Sequence, residues 1–182
     1  MHIRFLADTN VISETYKCKP HPVIANSILG RPQLIPPYPV ILEIEMGIHS
    51  RKRHDPLAGE WLRNWLDRLL ETSDSVLLES SPSVAQLQAE MMKAPALRHL
   101  WRTPTSKRLR PPGQDLAIAA LAIEHQLPIA TVNVRDFMAI HEYFPLPGVF
   151  DPSTLLWNAT PTPRSRRRRS VSVLPLTEAA LA

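Results

Sequence analysis

Cysteine is nearly absent from this sequence: Cys18 is the only one in 182 residues. That excludes an internal disulfide and any zinc site built from several thiolates. No run approaches the ~18 consecutive apolar residues of a membrane helix. The opening MHIRFLADTN meets an acid at Asp8, too early for the apolar stretch of a secretory signal. The expected compartment is therefore the cytoplasm, with no membrane partner. Gly-x-Gly-x-x-Gly and Walker-type loops are also missing, which leaves a nucleotide-phosphate cradle without support, and there are no internal repeats. Net charge is missing everywhere but one place. The formal +4 arises wholly beyond residue 163, where Arg164, Arg166, Arg167, Arg168 and Arg169 face only Glu178. The high isoelectric point describes an appendage to a neutral body.

What is present is a 44 % hydrophobic composition, enough for one core. The reading is a domain over 1–158 followed by a flexible Arg-rich tail over 159–182, whose PTPRSRRRRS stretch has too little apolar content to fold. Within the domain, Ile3, Phe5 and Leu6 predict a buried strand ending on Asp8, with Thr9 or Asn10 capping the next turn. A helix follows over about 22–29, stopped by Gly30, then a proline-bounded strand at Gln33-Leu34-Ile35. VILEIEMGI at 40–48 turns helical, with Glu43 and Gly47 on one face and Gly47 small enough for close packing beside that carboxylate. An amphipathic helix over 57–71, a strand at Val76-Leu77-Leu78 and a helix over 81–93 beginning at Pro82 come next. Residues 91–114 hold Lys93, Arg98, Arg102, Lys107, Arg108 and Arg110 with no acid, which suits an exposed loop.

The stretch from Gln114 to Phe137 organises the rest. Asp115 opens a strongly apolar helix behind Pro111, Pro112 and Gly113, and Ile129-Ala130-Thr131-Val132 is short and apolar enough for a buried strand. Asn133 and Asp136 lie past its carboxyl end, and Val149-Phe150 adds a further strand. This order points to an α/β fold with a parallel sheet. In such a sheet, ligand-binding groups gather beyond the strand ends.

Four acids then carry the chemistry: Asp8, Glu43, Asp115 and Asp136. Carboxylates from separate elements repel one another when they share a pocket, and each raises the other's pKa. A hard divalent cation, Mg2+ or Mn2+, resolves this with oxygen ligands, lowers the pKa of a bound water and shields phosphate oxygens. The bland alternative makes each acid a helix cap or a solvated charge, and adjacency to apolar runs does not by itself decide between the two.

LADTNVISE, VILEIEMGI, GQDLAIAALA and ATVNVRDF, in this order, resemble the PIN-domain family over about residues 3–151. More narrowly they are similar to the VapC- and FitB-type toxins of bacterial toxin–antitoxin pairs. The resemblance implies a three-layer fold in which helices flank a short central parallel sheet. It places Asp8 at the first metal position with Asn10 or Thr9 as polar neighbour, Glu43 at the second and Asp115 at the third. Thr131-x-Asn133-x-x-Asp136-Phe137 matches the fourth motif, where either Asn133 or Asp136 holds the last position. It further implies a metal-dependent endoribonuclease, commonly a homodimer, inhibited by a small antitoxin that carries the pair to promoter DNA. The long basic insert before Asp115 and the arginine tail depart from the family's compact form.

A non-catalytic PIN-like adaptor for nucleic acid or protein is the competing class, although it has no reason to keep four acids. An Asp-dependent phosphatase on Asp8 would want a second acid where Asn10 stands. In the insert, Arg98, Arg102, Lys107, Arg108 and Arg110 suit phosphates outside the reaction centre, and Trp101 between Arg98 and Arg102 suits stacking on an unpaired base. The tail arginines would add salt-sensitive attraction for nucleic acid. Trp61, Trp65 and Trp157 are expected in packing, Cys18 as an unreactive thiol, and His125 as a partner of a helix dipole.

Overall fold

The computed structural model describes residues 4–28, 34–72, 81–102 and 113–161. Strand β1 (Phe5–Ala7) runs into helix α1 (Thr9–Ile12), a 3-10 turn (Ser13–Thr15) and helix α2 (Pro22–Ile28). Asp8 itself caps α1, its Oδ1 accepting the Thr9 N–H at 2.7 Å, where the sequence suggested Thr9 or Asn10. The chain turns one residue earlier than expected because the carboxylate directly after the strand reaches the first free N–H.

Strand β2 (Leu34–Ile35) is short, as the prolines around it require. Helices α3 (Tyr38–His54) and α4 (Pro56–Thr72) then form a helical hairpin. α3 extends past the predicted 40–48 at both ends, with Pro39 seated in its first turn, where a missing N–H costs nothing. The packing role expected of Gly47 does not hold, since a Cβ there would meet nothing within 4 Å. The intimate contact belongs to Gly59, where a Cβ would stand 2.3 Å from Lys52 Cγ. The hairpin is tied by an Arg63–Glu45 bidentate pair and a Lys52–Glu60 pair at 2.6 Å.

Helix α5 (Pro82–Lys93) starts on Ser81, whose hydroxyl accepts the Val84 N–H. A 3-10 helix (Pro95–Leu100) follows and buries Leu97 and Leu100. The first half of the supposed loop is thus folded, because apolar residues at its i and i+3 positions face the core. The predicted strand at 76–78, Gly30 and Gln33, the basic residues Lys107, Arg108 and Arg110, and the arginine tail lie outside the described residues.

Helix α6 (Asp115–His125) is buried from Leu116 through Ala122 and forms the centre of the core. It ends on Gln126 in the left-handed conformation (φ 54°), with the Leu127 N–H closing back on the Ala122 carbonyl. Strand β3 (Ile129–Ala130), helix α7 (Val134–Tyr143) and strands β4 (Val149–Asp151) and β5 (Leu156–Ala159) complete the fold.

The five strands lie in the order β2-β1-β3-β4-β5, the first four parallel. β5 pairs antiparallel with β4, so the sheet is mixed rather than wholly parallel. Its turn was hidden in the sequence because no glycine marks it. Leu155 takes φ 61° instead, and Asp151 holds the turn by accepting the Ser153 N–H and hydroxyl. β5 runs through Ala159, which is buried, so the first residue assigned to the tail belongs to the sheet. Trp157 on β5 lies against Phe5 and Phe150, with centroids at 5.6 and 5.2 Å. Among the described residues, no helix is long and apolar enough to cross a membrane.

Candidate active site

From β1 the chain proceeds to β2 on one side and later to β3 on the other. The sheet order therefore reverses between β1 and β3, and a crevice opens beyond their carboxyl ends. Asp8 follows β1, and its N–H donates to the Ala130 carbonyl of β3 at 3.0 Å, fixing the two strand ends side by side. Thr131 follows β3 and is fully buried, and Asp8 is only 5 % exposed.

The Asp8 carboxylate is held from three directions. Oδ1 accepts the Thr9 N–H, while Oδ2 accepts the Asn10 amide at 2.6 Å and the Thr131 hydroxyl at 2.6 Å. Asn10 also reaches across the crevice, its Oδ1 accepting the Val132 N–H at 3.2 Å. Burial nonetheless pushes Asp8 above the usual carboxylate range, against the lowering effect of these hydrogen bonds and with a further push from Glu43.

Glu43 comes from α3, and its Oε2 accepts the Thr9 hydroxyl. Asp115 sits in the first turn of α6, where the helix dipole favours an acid. Burial, then the charges of Asp8, Asp136 and Glu43, push it up to about 7. Asp136 occupies the first turn of α7. Asn133, just before that helix, donates from Nδ2 to Asp136 at 3.0 Å and to Asp115 at 3.4 Å, and from its main-chain N–H to Thr131 Oγ1 at 2.8 Å.

All four sequence-predicted acids thus lie within electrostatic reach of one crevice, with Asn10, Thr131 and Asn133 as the polar groups between them. Thr9, named in the sequence only as an alternative to Asn10, makes the link to Glu43. Its short hydroxyl side chain beside Asp8 was the available signal.

A hard cation fits the chemistry of this donor set, which is oxygen only, partly desolvated and mutually repelling. The side chains as placed are instead held by neutral donors. Among the described residues no three acidic, imidazole or thiol groups form a metal-sized cluster.

The basic flank adjoins the site. A Cβ on Gly113 would stand 3.0 Å from the Leu100 carbonyl, so the 3-10 helix ends against the chain entering α6. Arg98 and Arg102 are exposed there. Trp101 packs against the core, with the Arg102 guanidinium 5.8 Å from its ring centroid. Of the other tryptophans, Trp65 packs beside Tyr16 at 4.8 Å, and Trp61 meets the same ring edge-on at 6.4 Å while staying 48 % exposed. His125 lies in the last turn of α6, where the helix dipole favours it, with Nε2 buried and without a hydrogen-bond partner among the described residues. Cys18 is exposed and free.

The fold and this edge define an α/β protein with an acid-lined crevice at the carboxyl end of a mostly parallel sheet. Among solved structures, two that match share the fold at 22 % identity. One is the crystal structure of FitAcB from Neisseria gonorrhoeae, with a TM-score of 0.61 over 81 % of this chain and 97 % of that one. The other is FitAB bound to the IR36 DNA fragment, with a TM-score of 0.58 over 82 % and 95 %. The α/β fold with helices flanking a mostly parallel sheet is similar to that of these Fit structures, in line with the fold the four motifs implied. No family model and no curated protein matches the chain.

Proposed function

We propose that this chain is a PIN-type, metal-dependent endoribonuclease that acts as the toxin of a toxin–antitoxin pair. The observation that carries the reading is Asp115, a carboxyl pushed up to about 7 by burial and by three further acids from three other elements. Evenly matched ion pairs would remove such a cost, and structural sites ordinarily do so.

Asp8, Glu43, Asp115 and Asp136 would hold Mg2+ or Mn2+. When bound, such an ion supplies an activated water and shields phosphate oxygens. The chain's own residues do the rest. Thr131, Asn10 and the Thr9 N–H hold the Asp8 oxygens, and the Thr9 hydroxyl holds Glu43. Asp115, raised by burial and by its acidic neighbours, is the carboxyl whose repulsion a bound cation would relieve most. Arg98 and Arg102 lie on the flank where phosphates beyond the scissile one would run. The partners on this reading are RNA, an antitoxin and a second copy of the chain. FitAB, of similar fold, is seen bound to a DNA fragment, which supports DNA contact through an antitoxin complex.

One observation favours the non-catalytic adaptor, namely that no three ligands converge among the described residues. The two readings part on a single experiment. Purified chain is incubated with single-stranded RNA in Mg2+, Mn2+ or chelator, beside Asp8→Asn and Asp115→Asn. Internal cleavage that needs the cation and both acids is expected. RNA left intact by a folded protein in both cations would overturn the nuclease.

A further inference from the structure

Asn133 occupies the cap position of α7, where an asparagine side chain ordinarily accepts a helix N–H. It makes no such bond. The Asn133 carboxamide is given instead to the side chains of Asp115 and Asp136. Its Nδ2 must be the group presented there, because Oδ1 would face carboxylate oxygens at the same distances. One NH2 thereby contacts Asp136 at 3.0 Å and Asp115 at 3.4 Å.

The same residue acts in the opposite direction through its main chain. Its N–H donates to Thr131 Oγ1 at 2.8 Å, and that hydroxyl in turn donates to Asp8 Oδ2 at 2.6 Å. A hydroxyl has one proton to give. The Asn133 N–H, by occupying a Thr131 lone pair, leaves that proton directed at Asp8. Asn133 therefore touches two acids directly and a third through one intermediary.

We infer that Asn133 is a positioning residue, a neutral clamp spanning Asp115 and Asp136, rather than a metal ligand. The inference rests on the proposed nuclease site but assigns within it. Asp136 is the oxygen donor of the fourth motif, and Asn133 supplies the hydrogen bonds that keep two repelling carboxylates side by side before any cation arrives. It also explains why a helix cap was given up. An amide between two acids offsets their repulsion, whereas a third carboxylate at that point would add to it.

Two variants separate the parts. Asn133→Ala keeps the main-chain N–H to Thr131 and deletes the clamp. Asn133→Asp keeps the shape, removes the donor and adds charge. In chelator, the melting temperature should fall by roughly 3–6 °C for Asn133→Ala and further for Asn133→Asp. Added Mn2+ should raise the melting temperature of Asn133→Asp by more than that of the wild type. On RNA, Asn133→Ala should lose at least about tenfold in kcat per folded molecule with KM unchanged, the folded fraction being measured at the assay temperature so that general destabilisation is excluded. Unchanged metal-free melting in both variants would overturn the clamp. Loss of measurable Mn2+ binding by Asn133→Ala at unchanged metal-free melting would also overturn it, since that is the signature of a deleted ligand rather than of a deleted clamp. A wild type that binds no Mn2+ and leaves RNA intact would sink the nuclease instead, and the chelator measurements would still judge the clamp.

Discussion

Glu43 and Glu45 stand two residues apart on α3, and their surroundings are electrostatically opposite. Glu45 faces α4, where Arg63 holds it with two hydrogen bonds and keeps its carboxyl below the usual range. Glu43 faces the crevice, where its neighbours in charge are Asp8 and Asp115. One helix thus presents a neutralised acid to a structural seam and an unneutralised acid to a site. The difference teaches where to look for function in this fold. Charges in the α3–α4 hairpin lower the energy of the folded chain, and those at the sheet edge raise it.

The comparison breaks most decisively at the crevice. Asp8→Asn and Asp115→Asn should each cut RNA cleavage by at least about a hundredfold, measured as initial rates in Mn2+, with circular dichroism unchanged. Removing a repelling charge should also leave metal-free Asp115→Asn at least as stable as the wild type. Full activity in both variants would remove the crevice from the chemistry.

Next in size is the pH dependence of stability. Asp115 binds its proton more tightly folded, at about 7, than unfolded, near 3.8. The unfolded chain therefore gives up the proton first, and rising pH favours unfolding. Metal-free stability should fall between about pH 4 and pH 7 and level off above, and Asp115→Asn should flatten that slope. Melting curves in chelator across this range provide the check, and an equal slope in the variant would contradict the assigned strain.

The hairpin should behave in the opposite sense. Arg63 and Glu45 are 28 % and 29 % exposed, so their bidentate pair is only partly screened. Arg63→Met should cost about 1–2 kcal/mol of stability, read by urea unfolding, while RNA cleavage stays at the wild-type rate. Because the folded Glu45 pKa is lowered, this contribution is present above its ordinary value near 4.5 and disappears as pH falls through the folded value. A variant that lost cleavage but kept stability would reverse the roles of the two regions.

The smallest effect concerns Gly47, one turn beyond Glu43 on the same helix. Its surroundings are open, so Gly47→Ala should add about 0.5–1 kcal/mol from backbone entropy alone. Gly59→Ala should lose stability against the Lys52 backbone, 2.9 Å from the added Cβ. Matching urea midpoints for the two variants would show that the seam is looser than the distances imply.

Much of this protein was legible in its residues because the signals are local. The apolar run behind Asp115, the serine and proline at 81–82 and the short apolar strands before Asp8 and Thr131 each act within a few positions, so the elements and the acids at their ends could be read directly. Local reading failed where a residue departs from its type's habit. Gln126 and Leu155 take left-handed conformations that glycine usually signals, and Pro95–Leu100 folds within a stretch that reads as loop. Which neutral group holds which acid was decided only by the tertiary structure. Thr131 reaches Asp8 across 123 positions, Thr9 reaches Glu43 across 34, and Asn133 reaches Asp115 across 18. No periodicity encodes those separations. They exist because β1 and β3 lie side by side at the point where the sheet reverses its order, which brings the starts of three helices and the flank of a fourth to the same edge.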